Sequence, residues 1–87
     1  MIYDLTQIET EYNAALAART AARAKRTKAL NAYLSARRAD FKAHPGNYSA
    51  ETLRLHEAAK KADQEEADAE KHLGDVIKTA TAYTPEA

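Results

Sequence analysis

From Met1 to His44 the chain contains neither glycine nor proline, and alanine recurs throughout. Nothing in that stretch interrupts a helix, and its commonest residue is the best helix former. The break comes at Ala43-His44-Pro45-Gly46-Asn47-Tyr48-Ser49, the only Pro-Gly punctuation in the body of the sequence. Proline disfavours helical geometry at the residue before it, and glycine reaches the left-handed conformation that closes a turn. Ser49 is placed to cap a second helix, with Glu51 near its positive end. Asp4, with Gln7 three residues on, is placed to cap the first. The pattern predicts an all-α fold in one domain, residues 1–87. Helix 1 is expected over about 4–42, a turn over 43–48, helix 2 over about 49–82 and a short tail over 83–87.

Charge sorts by half. Residues 1–44 carry eight cations and four acids, whereas residues 45–87 carry five cations and nine acids, so the halves bear opposite net charge within a neutral chain. Two oppositely charged helices around one breaker fold back as an antiparallel hairpin. Zero net charge argues against a general nucleic-acid or membrane-surface binder.

Apolar spacing indicates the facing sides. Leu55, Ala62, Ala69, Val76 and Tyr83 recur every seven residues, interleaved with Thr52, Ala59, Glu66, Leu73 and Ala80. Helix 1 offers Leu5, Tyr12, Arg19, Arg26 and Tyr33, interleaved with Ile8, Ala15, Ala22, Ala29 and Ala36. This three-four alternation is a coiled-coil-like seam. Folding at Pro45-Gly46 sets Tyr33 beside Leu55, Arg26 beside Ala62, Arg19 beside Ala69, Ala15 beside Leu73 and Tyr12 beside Val76, so that large residues meet small ones along most of the register. The same register sets the basic run 19–28 against the acidic run 63–70.

The alanine-rich seam buries little apolar area. Leu16, Leu30, Leu34, Phe41, Leu53 and Ile77 fall outside it. Leu30, Leu34, Phe41, Tyr48 and Leu53 are expected to gather at the turn end and form a second interface. A homodimer closing into a four-helix bundle is the expected use of that patch, with a heterologous partner as the other. Gly74 inside helix 2 marks a close backbone approach or a bend.

Chemistry is hard to place on such a chain. It has no cysteine, and hence no thiolate or disulfide framework. Asp68, His72 and Asp75 share a helical face, but no HExxH or ExxH pair supports a metal site, and none is expected. An acidic run along a thin helix offers no dry cleft to separate two carboxylate pKa values. No nucleophile–base pair and no phosphate-binding glycine loop occurs, so neither enzymatic activity nor a cofactor nor a small-molecule substrate is expected. Met1-Ile2-Tyr3-Asp4 has no basic or apolar leader character, and no apolar run approaches the roughly 20 residues of a membrane span. A soluble, cytoplasmic protein is the expectation, in the host-cell cytoplasm if phage-encoded.

The stretch Phe41-Lys42-Ala43-His44-Pro45-Gly46-Asn47 leading into helix 2 resembles the needle subunits of type III secretion systems, which are short hairpins. Their turn usually carries two prolines, and here only Pro45 is present. The WxG family of secreted hairpins is similar in grammar, but this chain has no tryptophan. As a small, cysteine-free, motif-less helical protein the chain also resembles phage-encoded inhibitors, including anti-CRISPR and other host-takeover proteins. That likeness implies a non-enzymatic module that binds a host bacterial protein by surface occlusion. The expected contact patch is Leu30, Leu34, Arg37, Phe41, Tyr48 and Leu53. Asp63, Glu65, Glu66, Asp68 and Glu70 form a secondary acidic surface able to imitate nucleic-acid phosphates. One alternative is a self-assembling hairpin of a secretion apparatus or phage particle. The other is a nucleic-acid-binding hairpin using Arg19, Arg23, Lys25, Arg26 and Lys28.

Overall fold

A computed structural model describes residues 5–82. It holds two helices, α1 (Leu5–Ala43) and α2 (Ala50–Ala82), packed antiparallel against each other. The Asp4 cap, Tyr83 at the end of the seam and the tail 83–87 lie outside the described residues. At 1.5 Å per residue α1 alone is about 58 Å long. The molecule is accordingly a rod of 69 × 16 × 14 Å, two helices thick.

Local chemistry explains the reversal. The His44 N–H donates to the Asp40 carbonyl (2.7 Å) and closes the last turn of α1. The Asn47 N–H then donates to the His44 carbonyl at 3.0 Å, which closes a four-residue turn around Pro45 and Gly46. Gly46 has φ +88°, the left-handed value that position needs and that side-chain-bearing residues adopt at a cost. Ser49 caps α2, its Oγ accepting the Thr52 N–H at 3.2 Å. Replacing such a cap by alanine typically costs about 1 kcal/mol.

The buried apolar residues are among those the periodicity marks: Ile8 and Ala15 from α1, Ala62, Leu73 and Val76 from α2. Ala15, Leu73 and Val76 form one cluster against which Leu16 packs. Leu16, expected off the seam, therefore contributes to the core.

The heptad column of α1 changes character along its length. Leu5 and Tyr12 are exposed, Arg19, Arg26 and Tyr33 are half-buried, and Asp40 is buried. The sister column runs the other way, from buried Ile8 and Ala15 to half-buried Ala22, Ala29 and Ala36. A helix that keeps near 3.6 residues per turn rotates a seven-residue column by about 20° per heptad, which produces this drift. Leu5 and Tyr12 thus leave the seam assigned to them by strict heptad counting. Tyr33 meets His56, ring centroids 4.9 Å apart, one residue from its expected neighbour Leu55.

Gly74 shows no close approach. A Cβ placed there would meet nothing within 4 Å, and α2 runs through it uninterrupted.

The oppositely charged runs meet in the middle of the rod. Arg23 donates to Glu70 (2.9 Å) and lies 3.9 Å from Glu66. Lys25 pairs with Glu65 at 2.7 Å, and Arg26 reaches Asp63 (3.5 Å) and Glu66 (3.2 Å). The Arg26 Nε–Glu66 Oε2 contact is close in distance but not aligned as a hydrogen bond. Glu66 is half-buried, but the pairs to Asp63, Glu65 and Glu70 are solvent-accessible; such pairs contribute about 0–1 kcal/mol each, so they orient the helices more than they stabilise them.

Candidate functional site

Asp40 is the end of the α1 heptad column and faces α2. Its Oδ2 accepts the Ser49 N–H at 2.8 Å, so a carboxylate from one helix takes the backbone donor that begins the next. The Thr52 hydroxyl, the Ser49 N–H and other polar neighbours favour the ionised form and hold the Asp40 carboxyl below the ordinary aspartate value, against the opposing effect of burial. Thr52 itself is only 1% exposed. Its Oγ1 lies 3.1 Å from the Ser49 Oγ, so the three polar side chains form one clasp across the turn. The cap at Ser49 is a local feature of the sequence, whereas the role of Asp40 depends on how the helices dock.

With Asp40 turned inward, the outer side of the turn end is apolar and basic. Phe41 is 71% exposed, and Tyr48 and Leu53 are about half exposed. A groove of about 370 Å³ is lined by Leu34, Arg37, Arg38, Phe41 and Lys42. A second, of about 290 Å³, is lined by Arg37, Phe41, His44, Gly46, Asn47 and Tyr48. Phe41 and Arg37 form the ridge between them. The Arg37 guanidinium lies 5.9 Å from the centroid of the Tyr48 ring, a cation–π distance.

Leu34, Arg37, Phe41 and Tyr48 of the expected patch are therefore brought together. Leu30 lies one turn before Leu34 on the same stripe of α1, at the i, i+4 spacing that aligns side chains. Leu53 is exposed in the first turn of α2 but lines neither groove. Arg38 and Lys42, which sequence reading left out, are groove walls. Their spacing was the available signal, since Arg38 follows Leu34 by four residues and Lys42 follows Arg38 by four.

The secondary acidic surface has a different setting. Asp63, Glu65, Glu66 and Glu70 face the cations of α1, and Asp68 accepts from the Gln64 amide at 2.9 Å. Lys25 holds the Glu65 carboxyl below its ordinary value through a direct hydrogen bond. The same pairs engage Arg23, Lys25 and Arg26 of the alternative nucleic-acid surface. Arg19 is half-buried, and its Nε has no hydrogen-bond partner among the described residues. Lys28 is exposed.

Among the described residues no cluster of three or more His, Cys, Asp or Glu is gathered for a metal ion. No helix among them is long and apolar enough to cross a membrane. No protein family, curated protein or solved structure matches the chain. The functional reading therefore rests on the turn-end surface itself.

Proposed function

We propose that the chain is a non-enzymatic protein-binding module that acts by covering a surface of its partner through the turn end. The observation that carries this reading is the pair of grooves around Phe41, whose large apolar side chain stands exposed beside Leu34 and Tyr48. Shape supports it as well. A compact monomer of 9.6 kDa exposes roughly 5,100 Å². This rod exposes 6736 Å², an excess about twice the roughly 800 Å² that one partner contributes to a standard protein–protein interface. A small phage- or mobile-element-type inhibitor of a host bacterial protein, working in the host cytoplasm, is the form of this proposal that the chain's size and exposed turn-end surface favour.

Affinity capture from a bacterial lysate tests it. A stoichiometric partner should be retained by the wild type and by Glu57→Lys, and lost on Phe41→Asp and Leu34→Asp. Retention that is indifferent to Phe41 and Leu34 would overturn the reading.

The stripe Leu30, Leu34, Phe41 supports a second reading, in which two copies close a four-helix bundle. Absolute mass by light scattering distinguishes the two. A dimer that dissociates on Phe41→Asp would assign the patch to self-association, and polymers beyond a dimer would favour a structural hairpin.

A further inference from the structure

The chemistry of the partner can be read from the rim of the larger groove. It is lined by the apolar side chains of Leu34 and Phe41 and by the cations Arg37, Arg38 and Lys42. Arg38 and Lys42 have no ionic partner among the described residues, and Arg37 lies over the Tyr48 ring rather than against a carboxylate. The only acid in this segment of α1 is Asp40, which is buried, turned towards α2 and occupied by the Ser49 N–H. The groove therefore presents uncompensated positive charge around an apolar centre. The middle of the rod does the opposite, since Arg23, Lys25 and Arg26 are matched there by acids of the same chain.

We propose that this groove takes an acidic amphipathic helix of the partner protein, with an apolar side chain between Leu34 and Phe41 and carboxylates on Arg37, Arg38 and Lys42. The inference rests on the binding-module reading above and names the partner's chemistry. A helix laid along α1 presents anchors at the three-four spacing that the Leu30–Leu34–Phe41 stripe can receive. Arginine and lysine beside apolar side chains select carboxylates by Coulomb attraction and by charge-assisted hydrogen bonds.

A second copy of this chain is a poorer occupant. Two-fold pairing through the groove would set the three cations of each copy against those of the other, which is repulsive. Asp63, Glu65, Glu66 and Glu70 of a second copy are already engaged by its own Arg23, Lys25 and Arg26.

The test is an NMR titration of the isotopically labelled full chain. The probe is a short helical peptide with leucine and phenylalanine at three-four spacing, flanked by glutamates. Its lysine-for-glutamate analogue, phosphatidylglycerol vesicles and duplex DNA are run alongside. Saturable shifts confined to residues 30–48 are expected with the acidic peptide and not with the analogue. Binding should weaken with salt and fall on the order of tenfold on Arg38→Glu or Lys42→Glu. Both substitutions lie on an exposed helix face, and circular dichroism checks that each variant stays folded.

The inference is overturned if the acidic peptide leaves the groove signals unmoved or if the lysine analogue moves them equally. It is also overturned if vesicles or DNA move them more strongly, or if they shift with protein concentration alone and cease to do so on Phe41→Asp. A lysate partner lost on Phe41→Asp, together with an inert acidic peptide, would leave the binding module standing and remove only the acidic partner.

Discussion

Leu73 and Ile77 sit one helical turn apart on α2, are similar in size, and face different surroundings. Leu73 is 7% exposed and packs with Ala15 and Val76, whereas Ile77 is 43% exposed. Truncating a buried leucine to alanine removes its transfer free energy and leaves a partly collapsed cavity, at about 2–5 kcal/mol across proteins. In a rod only two helices thick, neighbouring side chains and solvent can close much of the gap, so Leu73→Ala should fall at about 2–3 kcal/mol. Ile77→Ala, already largely hydrated, should cost less than about 1 kcal/mol. Domains of this length hold roughly 4–13 kcal/mol in total, so the first substitution removes a sizeable share of stability. At about 4–8 °C per kcal/mol it lowers the melting temperature by about 10–20 °C. Thermal and urea unfolding followed by circular dichroism measures both variants, at two protein concentrations so that any association is visible as a concentration-dependent midpoint. Equal losses for the two, or a larger loss for Ile77, would refute the docking face and with it the register that sets Ala15 beside Leu73.

Two further outcomes follow from the turn and from α2. Gly74→Ala should stabilise the protein by up to about 1 kcal/mol, because a Cβ there meets open space and the helix gains alanine's propensity; a loss of stability in urea unfolding would mean the backbone is approached closely after all. The Asp40 carboxyl has its pKa lowered on folding, so its contribution is fully present above the unfolded value and disappears as pH falls through the folded one, below about pH 4. Asp40→Asn should therefore flatten the acid limb of the stability–pH profile without abolishing it, since Glu65 is shifted in the same direction by Lys25; parallel limbs for the two proteins would count against the clasp.

Much of the fold was legible because its determinants are local. An uninterrupted alanine-rich stretch, a Pro-Gly break and a serine cap each act within a few residues, and all three do in the structure what their chemistry implies. The charge-sorted halves likewise announced the meeting of Arg23, Lys25 and Arg26 with the acids of α2. The candidate patch was legible in part. Leu34, Arg37, Phe41 and Tyr48 converge around the two grooves, but Leu53 lines neither, and Arg38 and Lys42 entered only with the three-dimensional arrangement.

What the sequence by itself determined is the set of helices, the place of the reversal and the approximate seam, because periodicity, propensity and capping are properties of a short run of chain. Which members of the seam are truly covered was decided by the tertiary structure. The rotation of a near-straight helix relative to a seven-residue count exposes Leu5 and Tyr12 while burying Asp40. Once Asp40 is turned inward and held by Ser49 and Thr52, the one acid within residues 34–42 no longer faces Arg37, Arg38 and Lys42. The basic rim of the Phe41 groove is thus a consequence of helix docking, a long-range event that no local pattern encodes.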